Sequence, residues 1–164
     1  MSSRIAKTLA LAAIAASLAA CSSTNEDAAN TQGVNTGAVN QGQVMDPFNP
    51  NSPLAQNRSV YFAFDSYTVE AQYQPLVQMH AQYLSSNGQQ RVRIEGNTDA
   101  RGSAEYNLAL GQRRSVAVAQ QLVQQGVNQA QIEAVSFGKE RPKAHGTSEE
   151  AYAENRRADI NYIR

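Results

Sequence analysis

The chain of 164 residues carries 14 Lys and Arg against 14 Asp and Glu, with 41% hydrophobic residues and a single cysteine. That length holds one modest domain with appended segments rather than two domains. A zero net charge gives no footing for nucleic acid, and one cysteine excludes an intrachain disulfide and any zinc site built on several thiolates.

Arg4 and Lys7 form a short basic start, followed by an apolar stretch from Thr8 to Ala20 and small residues ahead of Cys21. This is the pattern of a secretory signal peptide over residues 1–20, and the apolar run is shorter than the roughly 20 residues that a membrane-spanning helix needs. Leu18-Ala19-Ala20-Cys21 resembles a bacterial lipobox, in which the cysteine thiol is lipidated and becomes the new N-terminus. The competing reading is a peptide cut elsewhere, with Cys21 left as a free thiol. Without Arg4 and Lys7 the mature chain carries a small acidic excess. Residues 21–57 are rich in Ser, Thr, Asn, Gln, Gly and Ala and have no sustained apolar period. They read as the lipidated cysteine and a disordered tether, roughly 30 to 36 Å end to end on average and about 120 to 130 Å when fully stretched.

The folded domain is expected over residues 58–164. Ser59 to Phe64 is β-branched and aromatic and predicts a strand closed by Asp65-Ser66. Pro75 suits the first turn of a helix that runs through Leu76, Val77, Met79, His80 and Tyr83 to Asn87, with Gly88 as terminator. Arg91 to Glu95 alternates polar and apolar side chains as a half-buried strand ending at Gly96. Gly96 to Gly102 has turn composition, Ser103 is placed to cap the following helix with Glu105 in its first turn, and Gly126 should stop it. Gln131 to Phe137 predicts a third strand. Thr147 with Glu150 reads as a capping box for a short helix closed by Arg156 and Arg157, and Ala158 to Ile163 alternates as a last strand. The order β-α-β-α-β-α-β predicts an α/β two-layer sandwich, with helices packed on a sheet of about four strands.

The candidate site lies where strand, polar loop and long helix meet. At about 3.6 residues per turn, Asn107, Leu110 and Arg114 fall on one face of that helix. Leu108, Gly111, Val118, Ala119 and Leu122 fall on another, which reads as the packing stripe, with Gly111 permitting close backbone approach. Arg114 is then free of the core, and Asp99 in the preceding loop can approach the same end. An acid and a base with open hydrogen-bonding capacity suit a zwitterion. The alternative is a mutual Asp99–Arg114 salt bridge that merely ties loop to helix.

The run GNTDARGSAEYNLALGQRRSVAVAQQL (residues 96–122) resembles the peptidoglycan-associated lipoproteins of Gram-negative bacteria and, more broadly, the OmpA-like C-terminal domain family. Phe64-Asp65, the Asp99 loop, the Arg114 helix, Ser136-Phe137-Gly138 with Pro142, and Asn155-Arg156-Arg157 occur in the family's order, so the resemblance spans about residues 58 to 164. It implies a mixed-sheet OmpA-like fold and a site for the diaminopimelate of the peptidoglycan stem peptide. Asp99 and Arg114 would grip the ligand, Asn107 and Leu110 would stand beside them, and loop amides around Asn97 and Ala100 would add donors. Phe64 and Asp65 would line one wall, though Phe64 as core and Asp65 as a turn cap remain open. Arg156 and Arg157 would steady the helix end or join the ligand rim. Ala63, Ala100, Ser103 and Ala104 stand where many members carry Asp, Glu, Thr and Pro, which puts the loop's detailed shape in question. The resemblance further implies an outer-membrane lipid anchor at Cys21, since Ser22 rather than Asp follows it, a periplasmic domain, and the Tol-Pal system with TolB as partner, with a part in division and envelope integrity.

No catalytic constellation is expected and no cofactor. His80 in a helix and His145 in a loop belong to no metal-spaced cluster and read as packing or surface residues, and Arg113 as solvated surface. Two other functions stay open: an OmpA-like wall binder outside the Tol-Pal system, and a cell-wall hydrolase using Asp99 and Glu105, whose local sequence shows no glycosidase geometry.

Overall fold

A computed structural model of the chain describes residues 45–164. Cys21, the signal peptide over residues 1–20 and the first part of the expected tether lie outside the described residues. The elements run α1 Pro53–Gln56, β1 Ser59–Tyr61, α2 Gln74–Ser86, β2 Arg91–Asn97, α3 Ala104–Gln124, β3 Ile132–Gly138, α4 Glu149–Asn155 and β4 Arg157–Ile163, with single 3-10 turns at Ala71–Tyr73 and Gln129–Gln131.

The four strands form one mixed sheet in the order β1-β4-β2-β3. β4 pairs antiparallel with both β1 and β2, whereas β2 and β3 are parallel. Parallel neighbours need a long crossover, and α3 supplies it. Alternation then sorts the faces. Val60, Val92, Ile94, Ala158, Ile160 and Tyr162 are buried and pack with Val77 and Leu84 of α2 and Val118 and Leu122 of α3. The other face is polar, with Arg93 Nε paired to Glu133 at 2.9 Å and Ser59 Oγ donating to Asp159 at 2.7 Å. The result is the α/β sandwich of two layers expected from the sequence.

Close contact fixes α3 on the sheet. A Cβ at Gly96 would stand 1.8 Å from the Gly111 carbonyl oxygen, so β2 and α3 meet backbone to backbone at two glycines. This sets the α3 N-terminus directly over the ends of β2 and β3. Ser103 caps α3 by accepting from Tyr106 N, and Gly126, at φ +95°, ends it as expected.

Several local expectations are corrected. β1 stops at Tyr61 because only Ser59, Val60 and Tyr61 find partners on β4, which leaves Phe64 outside the strand and 61% exposed. β2 continues through Asn97, β3 begins at Ile132 and β4 at Arg157. α2 closes at Ser86, one residue before the expected end at Asn87, which serves as its cap. Ser148, not Thr147, caps α4, its side chain accepting from Ala151 N. Leu108 is exposed; Leu110, Gly111, Arg114, Ser115, Val118 and Leu122 are the buried stripe of α3.

The last part of the expected tether is also folded. Ser52 caps α1, Leu54 is fully buried, and Phe48 packs edge-on against Tyr162 at 6.3 Å. The Asn57 carbonyl accepts from buried His80 Nε2 at 2.7 Å, while His80 Nδ1 lies 2.8 Å from Tyr162 Oη. A carbonyl only accepts, so Nε2 carries the proton and Nδ1 accepts from the tyrosine. Burial drives the His80 pKa down to about 4, leaving the ring neutral. His80 is therefore a packing residue, as expected.

Candidate functional site

At the C-terminal ends of β2 and β3 a cavity of about 250 Å³ opens, lined by Phe64, Asp65, Thr98, Asp99, Arg101, Gly102, Tyr106, Asn107, Leu110 and Arg114. Two other hollows, of about 320 and 480 Å³, lie beside β1 and along α3. The first is lined by Glu70 and Glu154 without a cation, the second by Arg113 without an acid. Of the three, the cavity at the strand ends alone gathers both signs of charge.

Most of the polar side chains there are held by definite hydrogen bonds. Asn107, one turn into α3, donates from Nδ2 to the Arg101 and Ser103 carbonyls at 2.7 and 3.0 Å and pins the loop to the helix. Leu110, one turn further, is buried beneath. Asp65 sits at φ +54°, a conformation aspartate tolerates better than most residues, and accepts a hydrogen bond from the Tyr106 hydroxyl. The Thr98 side chain is buried, and its Oγ1 has no partner among the described residues.

Arg114 departs most from expectation. It is fully buried, donating from Nε to the Ser66 carbonyl at 2.8 Å, from Nη1 to that of Asn97 at 2.9 Å and from Nη2 to that of Ala63 at 3.3 Å. Its guanidinium also stands 5.1 Å from the Phe62 ring centroid. The side chain expected to be free of the core is a clamp joining the 63–66 loop to the end of β2. Burial lowers its pKa to about 10, so it stays cationic at neutral pH. A guanidinium has five N–H donors, so two are left over from these three bonds.

Asp99 does not pair with Arg114. Its Oδ1 accepts from Arg101 N and Nε at 3.1 and 3.2 Å, and its Oδ2 from Arg101 Nη2 at 2.6 Å and Arg156 Nη1 at 3.5 Å. Burial by itself would raise the carboxyl pKa, but the Arg101 and Arg156 hydrogen bonds outweigh it and hold the group below the usual carboxylate range. Arg101 packs against two rings, 4.2 Å from the centroid of Phe64 and 4.3 Å from that of Tyr152.

Of the residues expected at the site, Asp99, Arg114, Phe64, Asp65, Asn107 and Leu110 come together around the cavity. Asn97 and Ala100 do not line it. Asn97 is buried with its amide on the Glu95 carbonyl, and its own carbonyl serves Arg114; Ala100 faces solvent. Arg156 stands behind Asp99, its Nε on the Phe62 carbonyl at 3.1 Å and its Nη1 on Glu149 at 2.8 Å. Arg157 begins β4 and turns away to Asp159 at 3.0 Å. Arg101, Thr98 and Tyr106 were not singled out from the sequence. Arg101 had a local signal, since a residue two after an aspartate is placed to donate its N–H to that carboxylate; Tyr106 and Thr98 had none.

Residues 61–156 match the OmpA family. A peptidoglycan-associated lipoprotein of Haemophilus influenzae is 40% identical over 159 residues, covering 97% of this chain and 99% of that protein. The peptidoglycan-associated lipoprotein of Pseudomonas aeruginosa is 44% identical over 119 residues, covering 73% of this chain and 70% of that protein. The crystal structure of the peptidoglycan-associated lipoprotein from Burkholderia pseudomallei superposes with a TM-score of 0.69 at 59% identity, over 71% of this chain and 98% of that one. The C-terminal domain of Helicobacter pylori MotB, 22% identical, shares the fold with a TM-score of 0.60 over 65% of this chain and 84% of its own.

Proposed function

Since the chain belongs to the OmpA family and, within it, to the peptidoglycan-associated lipoproteins, we propose that it is a non-catalytic outer-membrane lipoprotein, anchored through Cys21, whose periplasmic domain binds peptidoglycan non-covalently. The ligand group is the diaminopimelate of the stem peptide, which carries an ammonium and a carboxylate on one carbon. The carrying observation is the cavity at the strand ends, where Asp99 and Arg114 present opposite charges to one small space.

Asp99 receives the ammonium, and the buried Arg114 guanidinium, with two N–H groups beyond its three carbonyl bonds, lies at the cavity wall as the positive charge for the carboxylate. Phe64, Asp65, Asn107 and Leu110 shape the walls. Charge-assisted hydrogen bonds contribute about 1.5 to 3 kcal/mol each, so one site binds modestly. Many copies on one membrane facing one polymer raise the effective concentration and make the attachment firm while each contact stays reversible. The same reading places the protein in the Tol-Pal system, with TolB as partner and a part in envelope constriction during division.

The test is co-sedimentation of the detergent-solubilised full chain with purified sacculi, wild type against Asp99→Ala, with circular dichroism on both. Wild type pellets and the folded variant stays in solution. Pelleting of both alike removes Asp99 from the site, and release of soluble muropeptides would make the protein a hydrolase. Capture of TolB from periplasmic extract distinguishes a Tol-Pal component from a wall binder outside that system.

A further inference from the structure

Asp99 has no acceptor to spare. A carboxylate offers about four lone-pair positions, and all four are occupied: Oδ1 by Arg101 N and Nε, Oδ2 by Arg101 Nη2 and Arg156 Nη1. An ammonium arriving through the cavity must therefore displace a donor. Arg156 is poorly placed to leave, with its side chain 9% exposed and tied to the Phe62 carbonyl and Glu149. The Arg101 side chain is 37% exposed, lines the cavity, and makes a two-pronged contact with Asp99 that a ligand can reach.

A displaced guanidinium needs a new anion. Glu149 offers only a long contact from an exposed side chain, its Oε2 lying 3.5 Å from Arg101 Nη1, and its other oxygen, Oε1, is held by Arg156 at 2.8 Å. The rings of Phe64 and Tyr152 pack on the guanidinium at the cavity mouth, with centroids 4.2 and 4.3 Å away. A plain amine that took Asp99 would leave Arg101 there without its carboxylate. A ligand with a carboxylate beside its ammonium would return one to it, in the planar geometry that guanidinium favours. The cavity's own charges, Asp65 and Asp99 against Arg101 and Arg114, balance before and after such an exchange, whereas a bare cation leaves an excess positive charge in a partly desolvated space.

Resting on the wall-binding reading above, we infer that Arg101 is a specificity-determining residue: the ligand's ammonium exchanges it off Asp99 and the ligand's carboxylate receives it, so the site takes amino-acid zwitterions and rejects plain amines. Arg114, held on three carbonyls, supports the same carboxylate from below. Arg101 is the cation that moves.

The experiment titrates the detergent-solubilised full chain with meso-diaminopimelate and with 1,5-diaminopentane, the same diamine lacking both carboxylates, and measures sacculus binding in parallel. Wild type prefers diaminopimelate by about tenfold or more, the scale of a charge-assisted hydrogen bond. Arg101→Gln weakens diaminopimelate by a similar factor without weakening diaminopentane, so the preference collapses, and Arg101→Lys restores part of it. Thermal unfolding at the wild-type temperature shows that the variants are folded. A preference unchanged in Arg101→Gln overturns the inference, as does tighter diaminopimelate binding, which would make Arg101 a competitor only. Wild type that pellets with sacculi but binds no diaminopimelate sinks the inference and leaves wall binding standing; wild type that binds neither sinks both.

Discussion

The two ends of the sheet bury polar groups by different means. At the end where β1 begins and β4 finishes, His80, Tyr162 and the Asn57 carbonyl form a hydrogen-bonded chain of neutral groups. At the other end, Asp99, Arg114 and Arg156 are buried as charges, and Thr98 Oγ1 is left without a partner among the described residues. Burying an ion costs several kcal/mol more than burying a hydrogen-bonded neutral group. The neutral end closes a comparable junction of loop, helix and sheet with one half-buried charge, Arg58 beside the Tyr162 ring, in place of three buried ones. Packing alone therefore gives no reason for the charges at the ionic end, and the cavity they face gives one.

Arg114→Ala is the most severe way to break the ionic end. It removes a large buried side chain and strands the carbonyls of Ala63, Ser66 and Asn97. An expected loss of about 4 kcal/mol is a large part of a small domain's stability. Urea unfolding should show a lower midpoint. A loss below about 1 kcal/mol would mean that the three carbonyls find other donors and that Arg114 is not a clamp. Loss of wall binding in this variant is interpretable only beside that curve.

At the neutral end the corresponding break is acid. The folded-state pKa of His80, about 4, lies below the value of about 6.5 expected in the unfolded chain. Protons therefore bind the unfolded state first. The stability held at neutral pH begins to fall as pH drops through about 6.5 and is reduced by about 3 kcal/mol at pH 4. Asp99 is depressed in the folded state, so its contribution is lost at lower pH, below the ordinary carboxylate range. Denaturant curves from pH 7 to pH 4.5 separate the two, and His80→Leu should be less stable at pH 7 but flatter across that window. A wild-type curve already flat there would contradict the neutral assignment.

The same contrast explains what could be read in the sequence. The Asp99 loop, the Ser103 cap and the Gly126 stop are local, and local composition carried them. Burial of Arg114 is not local. It depends on carbonyls from residues 63, 66 and 97 converging on one guanidinium, and a periodicity count scores arginine as polar whatever surrounds it. Leu108 was misplaced because it lies at the margin of the helical stripe, where a fraction of a turn decides between sheet and solvent. β1 read too long because Phe62 to Phe64 have strand composition but no partner residues on β4. The segment 45–57 reads as tether because Phe48 and Leu54 are diluted by Asn, Pro, Ser and Gln around them.

That segment offers the next test. Leu54 is fully buried in α1, so Leu54→Ala should cost about 2 to 3 kcal/mol, read as a shifted urea midpoint with an unchanged slope. A tether residue would cost nothing. Wall binding should survive wherever the variant is folded, because the neutral end does not contact the cavity. Loss of binding in a folded Leu54→Ala would show that the two ends are energetically coupled and would spoil the contrast between them.

Phe64→Ala should produce the smallest change in stability and the sharpest separation of roles. The ring is 61% exposed and outside the core, so unfolding should shift by no more than about 1 kcal/mol, the scale of its one exposed cation–π contact. Yet Phe64 is one of the two rings that hold the Arg101 guanidinium at the cavity mouth, and a cation–π contact at an exposed site is worth about 0.5 to 1 kcal/mol. Because the ring also lines the cavity, sacculus affinity should fall by about two- to fivefold while the urea midpoint moves only slightly. An equal fall in stability would make Phe64 part of the scaffold. No fall in affinity would mean that Tyr152 alone keeps Arg101 in position.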